Sequence, residues 1–246
     1  MIKIKTASEI EGIRKSCKLL KKMSDMIGKH ITAGRRTGQL AALAEEFIYS
    51  NGAEPAFTRE GFPSCICVSV NDEVVHGIPG DYMLQPGDIV SVDMGLILGG
   101  YYSDMAISAA AGDASSEAQN LMDVTEQSLR EGIARFKKGN HLGDISHAVA
   151  SFAEKNGFSV VRQFTGHGIG LELHEDPQIL NYGRPGTGPE LKNGMVFAIE
   201  PMINAGSWEV SIDDNGWTAR TSDGSLSAHF EHTVALIDGE AEILTA

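Results

Sequence analysis

Leu84-Gln85-Pro86-Gly87-Asp88-Ile89-Val90-Ser91-Val92-Asp93 reads as a turn followed by a strand rich in β-branched residues, predicted to end on Asp93. At an offset of 107, Leu191-Lys192-Asn193-Gly194-Met195-Val196-Phe197-Ala198-Ile199-Glu200 repeats the plan and ends on Glu200. Each is followed by a second predicted strand with another acid: Asp104 in Tyr102-Ser103-Asp104, and Glu231 in His229-Phe230-Glu231-His232. Burying an unpaired carboxylate costs several kcal/mol. Four acids placed this way therefore point to something positive between them, and a metal is the simplest candidate.

The surrounding elements repeat as well. Thr6-Ala7-Ser8-Glu9 is a capping box that opens a helix with Ile10, Ile13, Cys17, Leu20 and Met23 on its apolar face. A second helix is predicted over 37–50, burying Leu40, Leu43, Phe47 and Ile48 and stopped by Asn51-Gly52. Strands follow over 65–70, 88–94 and 101–108, the last two joined through Gly99-Gly100. Helices over 116–135 and 143–155 then precede strands over 158–164, 196–202, 229–237 and 242–244. Gly34, Phe47, Asn51 and Gly52 match Gly139, Phe152, Asn156 and Gly157 at an offset of 105. Leu84 and Gly87 match Leu191 and Gly194 at 107. These matches predict an internal duplication: a single α+β domain over 1–246 with halves of approximately 1–110 and 111–246. A site at their shared seam is the natural consequence.

Composition narrows the class. With 42% hydrophobic residues, 246 residues can bury a substantial core. No apolar run approaches the roughly 18–20 residues that cross a bilayer, and the first residues lack the apolar core of a signal peptide. A net charge of −13 disfavours nucleic acid and anionic membranes as partners. Cys17, Cys65 and Cys67 are odd in number, and Cys65 and Cys67 would share one face of a strand. A reducing, cytoplasmic setting is expected.

Asp93 and Asp104 lie eleven residues apart across the hairpin, so facing strands would bring both onto one cation. Carboxylates alone suit Mg²⁺ or Mn²⁺, whereas an added imidazole shifts the preference toward Mn, Fe, Co or Zn. His167, in Gly166-His167-Gly168-Ile169-Gly170, is flanked by residues too small to obstruct a metal. A glycine-rich turn with an incidental histidine has the same appearance. His76 in His-Gly-Ile-Pro and His174 in Leu173-His174-Glu175, together with four strand acids, favour the metal.

The chain resembles the type I methionine aminopeptidases of the pita-bread metallopeptidase family over essentially its whole length. The resemblance rests on Asn71-Asp72-Glu73-Val74-Val75-His76-Gly77-Ile78-Pro79, the Asp93/Asp104 pair, Gly166–Gly170 and Leu173-His174-Glu175. It continues through Ile199-Glu200-Pro201-Met202 and Ser227-Ala228-His229-Phe230-Glu231-His232-Thr233. It implies a pita-bread fold, two pseudo-symmetric helix–helix–strand halves around a central curved antiparallel sheet. It also implies two divalent ions (Mn, Fe, Co or Zn) on Asp93, Asp104, His167, Glu200 and Glu231, with Asp104 and Glu231 bridging.

Further roles follow from the same resemblance. Glu200 would carry protons for a metal-activated water, His174 would hydrogen-bond the scissile amide, and His76 would contact the leaving side of the peptide. The methionine pocket would be Arg59, Phe62, Cys67, Leu173 and Trp217. Arg59 and Phe62 stand where tyrosines are common in the family, Leu173 where phenylalanine is, and Glu60 where histidine is. Arg59 is expected to turn to solvent or pair with an acid such as Glu60. A monovalent cation (Na or K) would sit near Asn71 and Ser227. The implied partners are nascent polypeptides bearing N-terminal methionine, cut when the second residue is small. The ribosome is a further candidate, with any docking surface on the core domain; the protein is expected to be a monomer. Two other readings share these residues: a prolidase or X-Pro aminopeptidase, and a pita-bread binding protein without activity.

Overall fold

The computed structural model describes residues 1–246. The first half runs α1 (Ala7–Gly28), α2 (Thr37–Ser50), β1 (Glu54–Pro55), β2 (Ile66–Val70), β3 (Glu73–Val75), β4 (Ile89–Leu98) and β5 (Tyr101–Ala110). The second opens with α3 (Ser116–Ile133) and α4 (Leu142–Lys155), then β6 (Ser159–Val160), β7 (Gly166–Gly168), β8 (Glu175–Ile179) and β9 (Val196–Ile199). It closes with β10 (Met202–Asn204), β11 (Val210–Ile212), β12 (Ala219–Thr221), β13 (Ser227–His229), β14 (His232–Ile237) and β15 (Glu240–Ile243). All strand pairings are antiparallel. They form a four-stranded sheet around β4, a five-stranded sheet β15-β14-β9-β7-β8, and two three-stranded sheets.

The Thr6 capping box forms: the Glu9 N–H donates to Thr6 Oγ1 (3.3 Å) and the Thr6 N–H to Glu9 Oε2 (2.7 Å). The expected apolar stripe of α1 is buried and continues to Ile27. It lies on β5 and β4, each fully buried Leu, Ile or Met contributing about 1.5–3 kcal/mol. In α2, Leu40 and Ile48 are buried as expected, but Leu43 and Phe47 are only half-buried and Ala44 takes the inner place.

Matched residues of the two halves make matched bonds. Gly34 (φ 85°) and Gly139 (φ 88°) donate to the carbonyls of Leu84 (2.8 Å) and Leu191 (3.2 Å). Asn51 and Asn156 close their helices with Nδ2 on the carbonyls of Phe47 and Phe152, both at 2.8 Å. Only glycine adopts such a left-handed backbone without strain, which is why the punctuation recurs.

Four local expectations change. β4 does not stop at Asp93 but runs on to Leu98, leaving Asp93 in mid-strand. The strand expected over 158–164 shrinks to two residues. Cys65 precedes β2 and faces α2, donating to the Ala41 carbonyl (3.4 Å), whereas Cys67 faces the opposite side. All three cysteines are free. The strands expected over 196–202 and 229–237 are each broken in the middle: Ile199 pairs with His232 and Met202 with His229, so the ladder lapses across 200–201 and 230–231. Pro201 has no N–H to continue it.

That shared break sits on the seam between the halves, where β5 meets β13 and β14. Thr233 Oγ1 donates to the Asp104 carbonyl (2.7 Å) and accepts from the Asp104 N–H (3.2 Å). The Glu231 N–H donates to the Ala106 carbonyl (3.0 Å). Ser108 Oγ donates to the His229 carbonyl (2.8 Å) and accepts from the His229 N–H (3.0 Å). No helix is long and apolar enough to cross a membrane.

Candidate metal centre

Asp93 pairs with Ala106 and Asp104 with Gly95, so the two acids are diagonal across the hairpin rather than directly opposite. The offset is two residues, which keeps both side chains on one face. Glu200 and Glu231 emerge from the paired breaks at the seam. His167 lies on β7 beside Ala198 of β9, two residues before Glu200.

The imidazole of His167 presents one ring nitrogen to the acids. His167 Nδ1 lies 3.0 Å from the Gly168 carbonyl, which only accepts, so the proton belongs on Nδ1 and Nε2 keeps its lone pair. Nε2 stands 3.3 Å from Glu200 Oε1 and 3.8 Å from Asp104 Oδ2. Ligand atoms of Asp104, His167 and Glu231 all lie within 4.8 Å of one another. Burial pushes the His167 pKa down to about 3, which keeps the ring neutral.

The acids are under electrostatic pressure. Burial, then the charges of Glu231 and Asp93, hold Asp104 well above the usual carboxylate range. Glu231 and Glu200 are raised for the same reasons, and burial pushes Asp93 up to about 7. Asp93 Oδ1, Asp104 Oδ1 and Glu231 Oε1 are buried with no hydrogen-bond partner. Orphaned acceptors beside a neutral imidazole form a set that divalent cations fit.

The glycines flanking His167 are required by close packing. A Cβ on Gly166 would meet the Ala198 carbonyl oxygen at 2.4 Å, and one on Gly168 the Asp176 carbonyl oxygen at 2.3 Å. Gly166→Ala is therefore expected to cost about 1–3 kcal/mol and to displace His167, read as a lower melting temperature and weaker metal binding.

A cavity of about 400 Å³ opens above the acids. Phe62, Cys67, Leu173 and Trp217 line it, with Glu60, His76 and His174 also on its wall. Phe62 packs edge-on against Trp217 at 5.3 Å and against Phe57 at 6.4 Å. Arg59 does not reach the cavity: it points to solvent and pairs with Glu54, not Glu60. The side chain follows from a short 3₁₀ turn over Phe57–Glu60 that turns Phe57 inward and Arg59 outward. Phe57, Val75, Phe164 and Met202 complete the apolar wall and were not anticipated. Phe57, five residues before Phe62, carries no motif of its own.

His76 has φ 58° and stacks edge-on with Phe164 at 5.3 Å. His174, at the exposed mouth, lies edge-on to His167 at 4.4 Å. Burial lowers the pKa of both, and the Glu60 carboxylate partly opposes this at His174. The loop bearing His174 is held from beneath by a buried ion pair, Lys5 Nζ to Glu175 Oε2 (2.5 Å), with Glu175 Oε1 accepting the Leu171 N–H (2.8 Å). Lys5→Met strands the Glu175 charge and is expected to cost about 3–5 kcal/mol, seen as a lower denaturant midpoint with unchanged slope. Asn71 and Ser227 meet directly, the Ser227 N–H donating to the Asn71 carbonyl (2.8 Å).

The chain is similar to known proteins over its whole length. The family described as Metallopeptidase family M24 matches residues 11–238. The chain is 48% identical to the methionine aminopeptidase of Clostridium perfringens (strain 13 / Type A), over 100% of this chain and 99% of the relative. It is 47% identical to methionine aminopeptidase 1 of Bacillus subtilis (strain 168), with the same coverage. The crystal structure of methionine aminopeptidase from Rickettsia prowazekii superposes with a TM-score of 0.98 at 44% identity, covering 100% of both chains. Prolidase from Pyrococcus furiosus is also similar, with a TM-score of 0.81 at 27% identity, covering 99% of this chain and 65% of that one.

Proposed function

The chain belongs to metallopeptidase family M24, and from that premise we propose that it is a metal-dependent methionine aminopeptidase. It would remove N-terminal methionine from nascent polypeptides whose second residue is small, acting as one catalytic domain over 1–246. The observation that carries this reading is the convergence of Asp93, Asp104, His167, Glu200 and Glu231 in one cavity that Phe57, Phe62, Leu173 and Trp217 also line. The full-length likeness to methionine aminopeptidases at 47–48% identity, against 27% for the prolidase, favours it over an X-Pro peptidase.

Asp93 would hold one divalent ion, His167 and Glu200 the other, and Asp104 and Glu231 both; Mn, Fe, Co and Zn suit these donors. When bound, the ions lower the pKa of water and stabilise negative charge on the carbonyl oxygen. Glu200 accepts the proton of the attacking water as its oxygen bonds to the carbonyl carbon. It returns that proton to the nitrogen as the C–N bond breaks. His174 donates a hydrogen bond at the scissile amide, and His76 contacts the departing peptide. Phe57, Phe62, Leu173 and Trp217 enclose the methionine side chain, with aromatic edges available to its sulfur. The α-amine lies on the Asp93 side, which restricts cleavage to the first residue.

A monovalent cation near the Asn71–Ser227 contact, a cytoplasmic location, a monomeric state and docking on the ribosome complete the reading. The three free cysteines agree with a reducing compartment. The test is a matrix of divalent ions against Met-X peptides, with Ala-Pro and Gly-Pro peptides alongside. Turnover confined to Met-X with small X is expected. Preferential cleavage before proline would replace this reading with the X-Pro one, and no release with any ion would leave a binding protein.

A further inference from the structure

His229 is sealed from solvent at the end of β13, with 2% of its surface exposed. Its backbone is fully engaged by Ser108 Oγ, through both its N–H and its carbonyl. Its ring is not: Nε2 has no hydrogen-bond partner. The nearest carboxylate oxygen is Glu200 Oε2, at 3.9 Å. The other oxygen of that carboxylate, Oε1, is the one facing His167 Nε2. The two Glu200 oxygens therefore look at two different histidines.

A buried polar nitrogen left unpaired is costly, so a residue kept there without a partner needs a reason. A lone pair on Nε2 would repel the adjacent carboxylate, whereas an N–H would be attracted to it. A shift of about 1 Å would bring Nε2 to Oε2 within ordinary hydrogen-bond distance. We infer that His229 is a positioning residue that donates from Nε2–H to Glu200 Oε2 and so fixes Oε1 toward the ion shared with His167. This rests on the metal reading above and adds to it a residue behind the ligands that sets their orientation. Such partners raise metal affinity because the ligand needs no reorientation when the ion arrives.

The test compares His229→Gln, whose amide can still donate at that reach, with His229→Met, of similar length but no donor. Chelator-treated proteins are titrated calorimetrically with Mn²⁺, and folding is verified by circular dichroism. His229→Met is expected to bind the ion about tenfold more weakly and His229→Gln to stay within about threefold of the parent protein. In the Co²⁺-loaded proteins, the visible absorption bands should shift for His229→Met and return for His229→Gln. His229→Asn, polar but too short to reach Glu200, replaces His229→Met in the comparison if the latter does not fold. Equal affinities and unshifted spectra in the donor-less variants would overturn the inference alone. A parent protein that binds no divalent ion would instead overturn the metal reading beneath it.

Discussion

Replacing Asp104 by asparagine is expected to abolish methionine release, with a loss on the order of 10³-fold or more in kcat/KM. Asp104 is the residue on which the cluster turns. Its carboxylate is buried, its Oδ1 is unpartnered, and Glu231, Asp93 and His167 surround it. An amide keeps the shape but loses the charge that would hold both ions. The backbone bonds of Asp104 to Thr233 Oγ1 leave the fold of the seam unchanged.

The effect on stability should run the other way. In the metal-free protein, burial and the neighbouring acids force Asp104 to hold a proton it would otherwise release, so an amide that needs no proton is expected to raise the melting temperature at neutral pH. Mn²⁺ should then stabilise the parent protein and not Asp104→Asn. The pH dependence follows from burial of the cluster. Asp93, normally near 3.8, is pushed up to about 7, so the folded metal-free chain holds a proton that the unfolded chain has released. Its stability therefore falls as pH rises from about 4 to about 7, and bound cations remove that decline. Thermal unfolding across this range, with and without metal, reads both effects.

Replacing His174 by alanine is expected to lower kcat about 10²–10³-fold while leaving metal content unchanged. His174 stands at the mouth of the cavity, beside His167 but outside the cluster of buried acceptors. Its place suits a donor to the peptide rather than a ligand to an ion. Since the interaction strengthens as charge develops on the substrate, the loss should fall on kcat more than on KM. A metal-loaded His174→Ala protein with undiminished turnover would remove the residue from the mechanism.

Much of this was legible in the chain. The Asn-Gly stops, the capping box and the two turn–strand repeats rest on local backbone chemistry, and the structure reproduces them. The diagonal placing of Asp93 and Asp104 was also within reach. A two-residue Gly99-Gly100 loop pairs Leu98 with Tyr101 and so carries Asp104 to Gly95. What stayed hidden depends on contacts distant in sequence. The lapse of pairing at 200–201 and 230–231 reads locally as continuous strand, and only the partner strand reveals that both break at one level. Arg59 turns to solvent, one of the two outcomes expected of it, but its partner Glu54 rather than Glu60 is set by a 3₁₀ turn that carries no sequence signal. Phe57 carries no motif, and His229 sits inside one without a role of its own; what each touches is set by what the fold puts beside it.

The most direct test of the metal-dependent aminopeptidase is an add-back titration. Protein stripped by chelator is supplied with Co²⁺ in stoichiometric steps while free methionine is measured from Met-Ala-Ser. The account predicts no release before ion is added and a rise that ends by about two equivalents, as a two-ion site requires. Methionine release from the stripped protein, or none at any equivalence, would contradict it.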